Sequence, residues 1–191
     1  MDLMVKLYLD RANNEHLLAG ALKKLSETDT LKKEFGLPEK ITFYSAAISH
    51  AYYAIFYSAK AALLTKGIET KSPEIHKKTF EEFKKQFVES GILDTELLII
   101  YQKMIIRADE LLQIFKNVKK IRHKSGFLGH KKPESHSSPT INNGAFWFFR
   151  EKWKRGHFTY ETIPQANKKP AEESVEHATK FVKNIRAILE E

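Results

Sequence analysis

The chain has 191 residues, of which 42% are hydrophobic and 12% aromatic, and its formal net charge is +8 at pH 7. This length and apolar content suit a single folded domain and exclude a wholly disordered chain. No apolar run approaches the roughly 18 residues of a membrane-spanning helix, and the absence of cysteine excludes disulfides and thiolate chemistry. We therefore expect a cytoplasmic protein without membrane association, whose positive charge suits a polyanionic partner such as RNA.

The first half of the chain reads as helix. Apolar residues recur at helical spacing in 3–25, which predicts a first helix. Residues 26–41 are polar and contain a glycine and a proline, so we predict a loop there. A second helix should begin at the capping residue Thr42 and end at Gly67.

The later elements follow the same pattern. Ser72 followed by Pro73 predicts the cap and first position of a third helix, which Gly91 should end. A long fourth helix should start at Asp94, and the last helix should begin near Pro170. No stretch alternates as a strand does, so we predict an all-α, up-and-down bundle of four to five main helices.

One region interrupts this pattern. Residues 122–144 are rich in Gly, Pro, Ser, Asn and His and show no apolar period, which predicts a long loop or insertion. A short aromatic helix, AFWFFREKWKR, should follow it. We expect residues 1–191 to form one domain that carries this insertion.

The second helix contains an unusual mixture of small and aromatic residues, SAAISHAYYAIFYSAKAALL. Its small residues fall at roughly heptad spacing: Ala47, Ala51, Ala54, Ser58 and Ala61. This stripe should let a neighbouring helix approach closely. Tyr52 with Phe56, and Tyr53 with Tyr57, are i, i+4 pairs that should stack along the helix. We therefore predict a central helix, covered on more than one face, with Tyr53 and Tyr57 on a polar edge.

The segment SHAYYAIFYSAKAALLTKGIETKSPEIHKKTFEEFKKQFVESG closely resembles the second and third helices of archaeal and bacterial HEPN-domain proteins. Those helices carry a Tyr-Tyr-Ala…Phe-Tyr-x-Ala-Lys-Ala pattern, a Gly-Ile-x-x-Lys-Ser turn, and then a His and a Phe-rich helix. The segment RGHFTYETIPQANKKPAEESVEHATKFVKNI is similar to the family's ending. The resemblance covers most of residues 8–118 and 150–190.

This resemblance implies a HEPN-like helical bundle, usually dimeric. Many members are metal-independent ribonucleases, often toxins paired with a small nucleotidyltransferase antitoxin. We therefore expect an RNA-binding endoribonuclease that works as a homodimer without a cofactor. The alternative is a non-catalytic module that binds a nucleotide or a partner protein, such as that nucleotidyltransferase.

Active members of the family carry an arginine, four to six residues, a histidine and a nearby tyrosine. Arg150, His157 and Tyr160 match this pattern, with six residues between the first two. A histidine can take the 2′-OH proton, while an arginine can stabilise charge on the phosphoryl oxygens. Two departures are that Tyr160 stands three rather than two positions after the histidine, and that Glu151 replaces the usual Asn or Asp.

A basic, aromatic surface should support this site. Arg155, Lys154 and Lys152 are interleaved with phenylalanine and tryptophan, a combination that suits single-stranded RNA. We expect these cations, together with Tyr53 and Tyr57, to bind RNA. The alternative is that the cations are solvated and the rings pack on the bundle.

Other charged and histidine residues are open to plainer interpretations. Arg107 is typical of a solvated or bundle-end ion pair. Arg122 and His130 are one residue too far apart for the family motif, and the histidines of the insertion lack the spacing of a zinc site. We therefore predict no metal. His16 and His177 look exposed.

Overall fold

A computed structural model describes residues 2–124 and 167–190, with side chains for 2–111 and 167–190. The helices are α1 (Leu3–Glu27), α2 (Asp29–Glu34), α3 (Tyr44–Thr65), α4 (Ile75–Phe83), α5 (Thr95–Lys124) and α6 (Lys168–Leu189). A π-helical turn, Lys84–Val88, continues α4. These ranges contain no strand, and the predicted all-α class is confirmed.

The predicted loop at 26–41 contains the short helix α2, so that prediction is wrong in part. Lys32 is buried in this helix, and its Nζ donates to Asp29 Oδ1 at 3.1 Å and to the Glu39 carbonyl at 2.7 Å. Gly36 ends the segment with φ of 64°, which glycine adopts without a steric cost. Local hydrogen bonds from a buried lysine, rather than an apolar period, hold α2 in place.

Two predicted helix starts are corrected by the structure. Phe43, not Thr42, is the N-cap of α3, and its amide donates to Ser26 Oγ at 2.7 Å. Neither Ser72 nor Pro73 begins α4, because Glu74 adopts a left-handed conformation with φ of 61°. A right-handed helix cannot include a residue in that conformation, so α4 starts at Ile75, directly after Glu74.

The predicted starts of the fourth and last helices agree with the structure to within two residues, whereas the predicted start of the insertion does not. Asp94 accepts the Glu96 amide at 2.9 Å and so caps the start of α5, and Gly91 closes the preceding segment with φ of 75°. The last helix begins at Lys168, two residues before the predicted start. Helix α5 extends to Lys124, so residues 122–124 belong to a helix and not to the predicted insertion; 125–166 lie outside the described residues.

Helix α3 is central, as predicted. It packs most extensively on α1 and then on α6, and it also meets α4 and α5. Its small residues have no exposed surface: Ala47, Ala51, Ala54, Ser58 and Ala61. Because they carry little side chain, the neighbouring helices can approach the α3 backbone closely.

Aromatic rings hold α4, α5 and α6 together at the other side of the core. Tyr101 of α5 lies edge-on to Phe83 at 6.0 Å and to Phe181 at 5.7 Å between ring centres. Phe83 and Phe181 are themselves 5.4 Å apart. The hydroxyl of Tyr101 is fully buried and has no hydrogen-bond partner among the described residues, and this burial raises the pKa of Tyr101.

Candidate functional site

Most of the residues predicted from the sequence to act on RNA lie outside the described part of the chain. These are the catalytic candidates Arg150, His157 and Tyr160, and the RNA-binding candidates Arg155, Lys154 and Lys152. Their roles therefore remain predictions. The described residues hold the other two candidates, Tyr53 and Tyr57, and two groups of charged side chains.

Tyr53 and Tyr57 stack along α3 as predicted, with ring centres 6.0 Å apart and planes 23° from parallel. Tyr52 and Phe56 form the second predicted pair, at 6.5 Å and 25°. Tyr57 is buried and Tyr53 is half-buried, so Tyr53 presents the more accessible ring of the two.

Tyr57 also belongs to a group that we call the cation–aromatic patch: Tyr8 and Arg11 of α1 with Tyr57 and Lys60 of α3. The rings of Tyr8 and Tyr57 stack at 6.0 Å, and the Arg11 guanidinium carbon lies 4.3 Å from the centre of Tyr57. Lys60 Nζ lies 4.6 Å from the centre of the Tyr8 ring. The close packing of α1 on α3 thus places two cations against a pair of stacked rings.

Two histidines near α3, His50 and His76, have structural partners. His50 Nδ1 lies 2.6 Å from Glu15 Oε2, which links α3 to α1. His76 Nδ1 lies 2.8 Å from the Tyr52 hydroxyl, and its ring is 4.2 Å from that of Phe56. These contacts tie α4 and α1 to the ring-bearing faces of α3.

The second group of charged side chains lines a cleft between α5 and α6. Its volume is about 370 Å³, and it is lined by Lys103, Ile106, Arg107, Glu110, Glu173 and His177. Helix α5 supplies the first four residues and α6 the last two. The cleft therefore exists because these two helices pack side by side.

Arg107 is the best-anchored side chain of the cleft. Its guanidinium donates to Glu173 Oε2 at 2.8 Å, to the Pro170 carbonyl at 3.0 Å and to Ser174 Oγ at 3.2 Å. The side chain retains 24% of its exposure, so part of the guanidinium still faces the cleft. Arg107 does form an ion pair, with Glu173, and because this pair joins α5 to α6 it also acts as an interhelical clamp.

His177 was expected to be exposed, and the structure shows it half-buried beside Arg107 in the cleft. Its Nδ1 is buried, and no hydrogen-bond partner for it is found within residues 2–111 and 167–190. Burial, followed by the nearby charges of Lys103 and Arg107, lowers the pKa of His177. The hydrogen bond from Arg107 lowers the pKa of Glu173, so this carboxyl is ionised at neutral pH.

The cleft therefore joins an uncharged imidazole to two fixed cations. A neutral histidine can accept a proton, and an arginine and a lysine can stabilise negative charge on phosphoryl oxygens. Sequence reasoning missed His177, although Ser174, His177 and Phe181 share the i, i+3, i+7 spacing of one helix face. That spacing placed His177 beside the buried seam of α6.

His16 is likewise half-buried rather than exposed. Its Nε2 lies 2.8 Å from Thr179 Oγ1, and burial together with the charge of Arg186 lowers its pKa. Within the described ranges, no three histidine or acidic residues are grouped so that they could hold a metal ion. None of the helices described is long and apolar enough to cross a membrane.

Comparison with known families identifies the class. The HEPN domain family matches residues 37–134, just over half of the chain. This range contains α3, α4 and α5, including Lys60 and Arg107, and the packing described above is all-α. The chain belongs to the HEPN domain family.

Two curated relatives come from Methanocaldococcus jannaschii. The protein named "Putative toxin MJ0142" is 36% identical over 83 residues, which is 44% of this chain and 50% of that protein. "Putative toxin MJ0605" is 38% identical over 68 residues, or 36% of this chain and 46% of that protein. The chain thus spans about half the length of each relative. No solved structure matches it significantly.

Proposed function

We propose that this protein is a toxin-type HEPN endoribonuclease that cleaves RNA without needing a metal ion. The observation that carries the proposal is the α5–α6 cleft, where His177, with its lowered pKa, faces the same space as Arg107 and Lys103. Family membership and the names of the two relatives support it. Because the proposed substrate is RNA, we also propose that the protein acts in the cytoplasm.

The chemistry follows from the side chains. An unprotonated histidine accepts the proton of a 2′-OH, whose oxygen attacks the adjacent phosphorus. The bond from phosphorus to the 5′-oxygen breaks, and that oxygen takes up a proton from the protonated histidine or from water. The products are a 2′,3′-cyclic phosphate and a 5′-hydroxyl. Arginine and lysine stabilise the charge that develops on the phosphoryl oxygens.

Two histidines compete for the role of base. His177 lies in the cleft, while His157 matches the family's motif together with Arg150 and Tyr160. We propose that Arg107 and Lys103 hold the phosphate if His177 is the base. If His157 is the base, we propose that Arg150 holds it, with Arg155, Lys154, Lys152, Tyr53 and Tyr57 along the bound strand.

The test is cleavage of a labelled RNA in the presence of EDTA, with analysis of the product ends. Wild-type protein should give 2′,3′-cyclic phosphate ends. Replacing the true base by alanine should reduce the rate about 10²–10⁴-fold, while the other histidine variant should keep most activity. His16→Ala is the matched control, because His16 is half-buried but lies outside the cleft. Wild-type protein that binds RNA and never cuts it would refute the enzymatic proposal.

A non-catalytic role is the second candidate function. It is favoured by the three hydrogen bonds of Arg107, which are those of a structural clamp between α5 and α6. In this alternative, the chain binds a nucleotide or a partner protein such as a small nucleotidyltransferase antitoxin. Binding that weakens with salt, without any cleavage, would support it.

We also propose that the protein is a homodimer and that residues 1–191 form one domain. Ile99 and Ile106 of α5 are seven residues apart and 47% and 51% exposed, and Ile106 lines the cleft. A second copy covering them would place two clefts near each other. Light scattering of wild type and of Ile99→Glu tests the dimer.

The packing of α1 and α6 on α3 supports a single domain, and one cooperative melting transition is expected.

A further inference from the structure

The cation–aromatic patch contains a buried positive charge whose partners among the described residues are all neutral. Lys60 is 5% exposed, and its Nζ donates to the Tyr8 hydroxyl at 3.0 Å and to the Thr70 carbonyl at 3.3 Å. Among the described residues, no carboxylate forms an ion pair with Lys60 or with Arg11. Lysines are almost never buried unless a negative charge compensates them.

Another lysine of the same chain shows the usual arrangement. Lys32 is buried to the same degree, at 4% exposure, but its Nζ lies 3.1 Å from the carboxylate of Asp29. The two lysines are equally buried, but they differ in the chemical nature of their partners. Lys32 has its counter-charge within the chain, whereas the described residues around Lys60 offer only a phenol, a carbonyl and an aromatic face.

Arg11 is the second cation of the patch, and it lies beside the same stacked rings as Lys60. Arg11 is exposed and lies against Tyr57, and Tyr57 stacks on the ring that Lys60 contacts. The patch therefore runs from the surface at Arg11, past the half-buried Tyr8, to the ammonium of Lys60. Proteins that bind single-stranded nucleic acids use cations next to aromatic side chains on which the bases stack.

We propose that the cation–aromatic patch is a phosphate-binding site for nucleotides, either free or within single-stranded RNA. Lys60 and Arg11 donate to the phosphate oxygens, and the accessible edge of Tyr8 contacts the sugar or base. The bound phosphate supplies the negative charge that Lys60 lacks. This inference does not depend on cleavage in the α5–α6 cleft, because it concerns binding on α1 and α3.

The experiment uses the full chain and a fluorescent oligouridine whose 2′-positions are methylated, so that cleavage cannot occur. Fluorescence anisotropy should show that Lys60→Met and Arg11→Gln each weaken binding about tenfold and lower the slope of log affinity against log salt by about one. The matched control is Lys66→Met. Lys66 is an exposed lysine just past α3 that lies 5.8 Å from the ring of Phe87, and its loss should leave affinity unchanged.

Competition identifies the source of the phosphate. Displacement by UMP but not by uridine indicates a free nucleotide phosphate, and displacement by inorganic phosphate alone indicates that the base contributes nothing. Displacement by RNA alone assigns the site to the RNA backbone. If both variants bind like wild type, or if wild type binds neither UMP nor oligouridine, the inference is wrong and Lys60 is only a tie to Thr70. Should Lys60→Met fail to fold, Arg11→Gln decides the question, because Arg11 is exposed.

Discussion

The α5–α6 cleft and the cation–aromatic patch both present cations, but they neutralise them differently. In the cleft, Arg107 is paired with Glu173 at 2.8 Å, and that carboxylate is ionised. In the patch, Lys60 and Arg11 contact rings, a hydroxyl and a carbonyl. A paired cation can hold helices together without a ligand, whereas an uncompensated buried cation gains from one. The comparison suggests a cleft whose residues also stabilise the fold, and a patch suited to anion binding.

The largest expected effect is on the pH dependence of cleavage. If His177 is the base, the rate should fall about tenfold for each unit of pH below its pKa, because only the neutral imidazole accepts a proton. Lys103 is one cause of the lowered pKa, so Lys103→Met should move the acidic limb of the kcat/KM profile to higher pH. Arg11→Gln should change RNA affinity by the same factor at every pH, since arginine keeps its charge. If Lys103→Met leaves the acidic limb of the profile unchanged, His177 is not the base.

Overpacking the central helix should affect both regions at once. Ala54 has no exposed surface, so Ala54→Leu should lower the free energy of unfolding by about 1–3 kcal/mol. Urea denaturation followed by circular dichroism measures this change. Because α3 contacts both α1 and α6, a single transition should shift as a whole. Two separate transitions would show that the cleft and the patch belong to independently folding parts.

The clamp in the cleft should contribute more to stability than the exposed cation of the patch. Arg107→Gln removes bonds to Glu173, Pro170 and Ser174 and should cost about 1–2 kcal/mol, whereas Arg11→Gln should change stability by less than about 0.5 kcal/mol. Thermal melts of the two variants, measured side by side, test the contrast. Equal losses would contradict the contrast between a cation of the cleft that holds two helices together and a cation of the patch that does not.

The smallest effect concerns the buried hydroxyls of the core, which neither region uses. Tyr101 is fully buried, and its hydroxyl is unpaired in the part of the chain that the structure describes, so Tyr101→Phe should leave stability unchanged or raise it by up to about 1 kcal/mol. Ser58→Ala is the matched variant, since Ser58 Oγ is also buried and has no partner within the described ranges. Chemical denaturation of both variants gives the change. A loss above about 1 kcal/mol in either would indicate a hydrogen bond that forms in solution.

Local sequence was a good guide to the helices and a poorer guide to their first residues. The periods of α1, α3, α5 and α6 were visible because helix formation follows spacing within a few residues. The start of α4 was misplaced because Ser72 and Pro73 look like a cap, while the left-handed backbone at Glu74 lets the helix begin only at Ile75. Helix α2 was missed because its support comes from Lys32 and not from an apolar face.

The sequence by itself determined the all-α class, the central position of α3 and the stacking of its tyrosines, because each is signalled by the spacing of residues a few positions apart along the chain. Only the tertiary structure decided which charges meet. Arg107 pairs with Glu173, 66 residues away, and Lys60 reaches Tyr8, 52 residues away. No local period encodes such pairs, since they depend on how α5 packs on α6 and α3 on α1. The same packing half-buries His177 and lowers its pKa, which makes a histidine of ordinary appearance a candidate base.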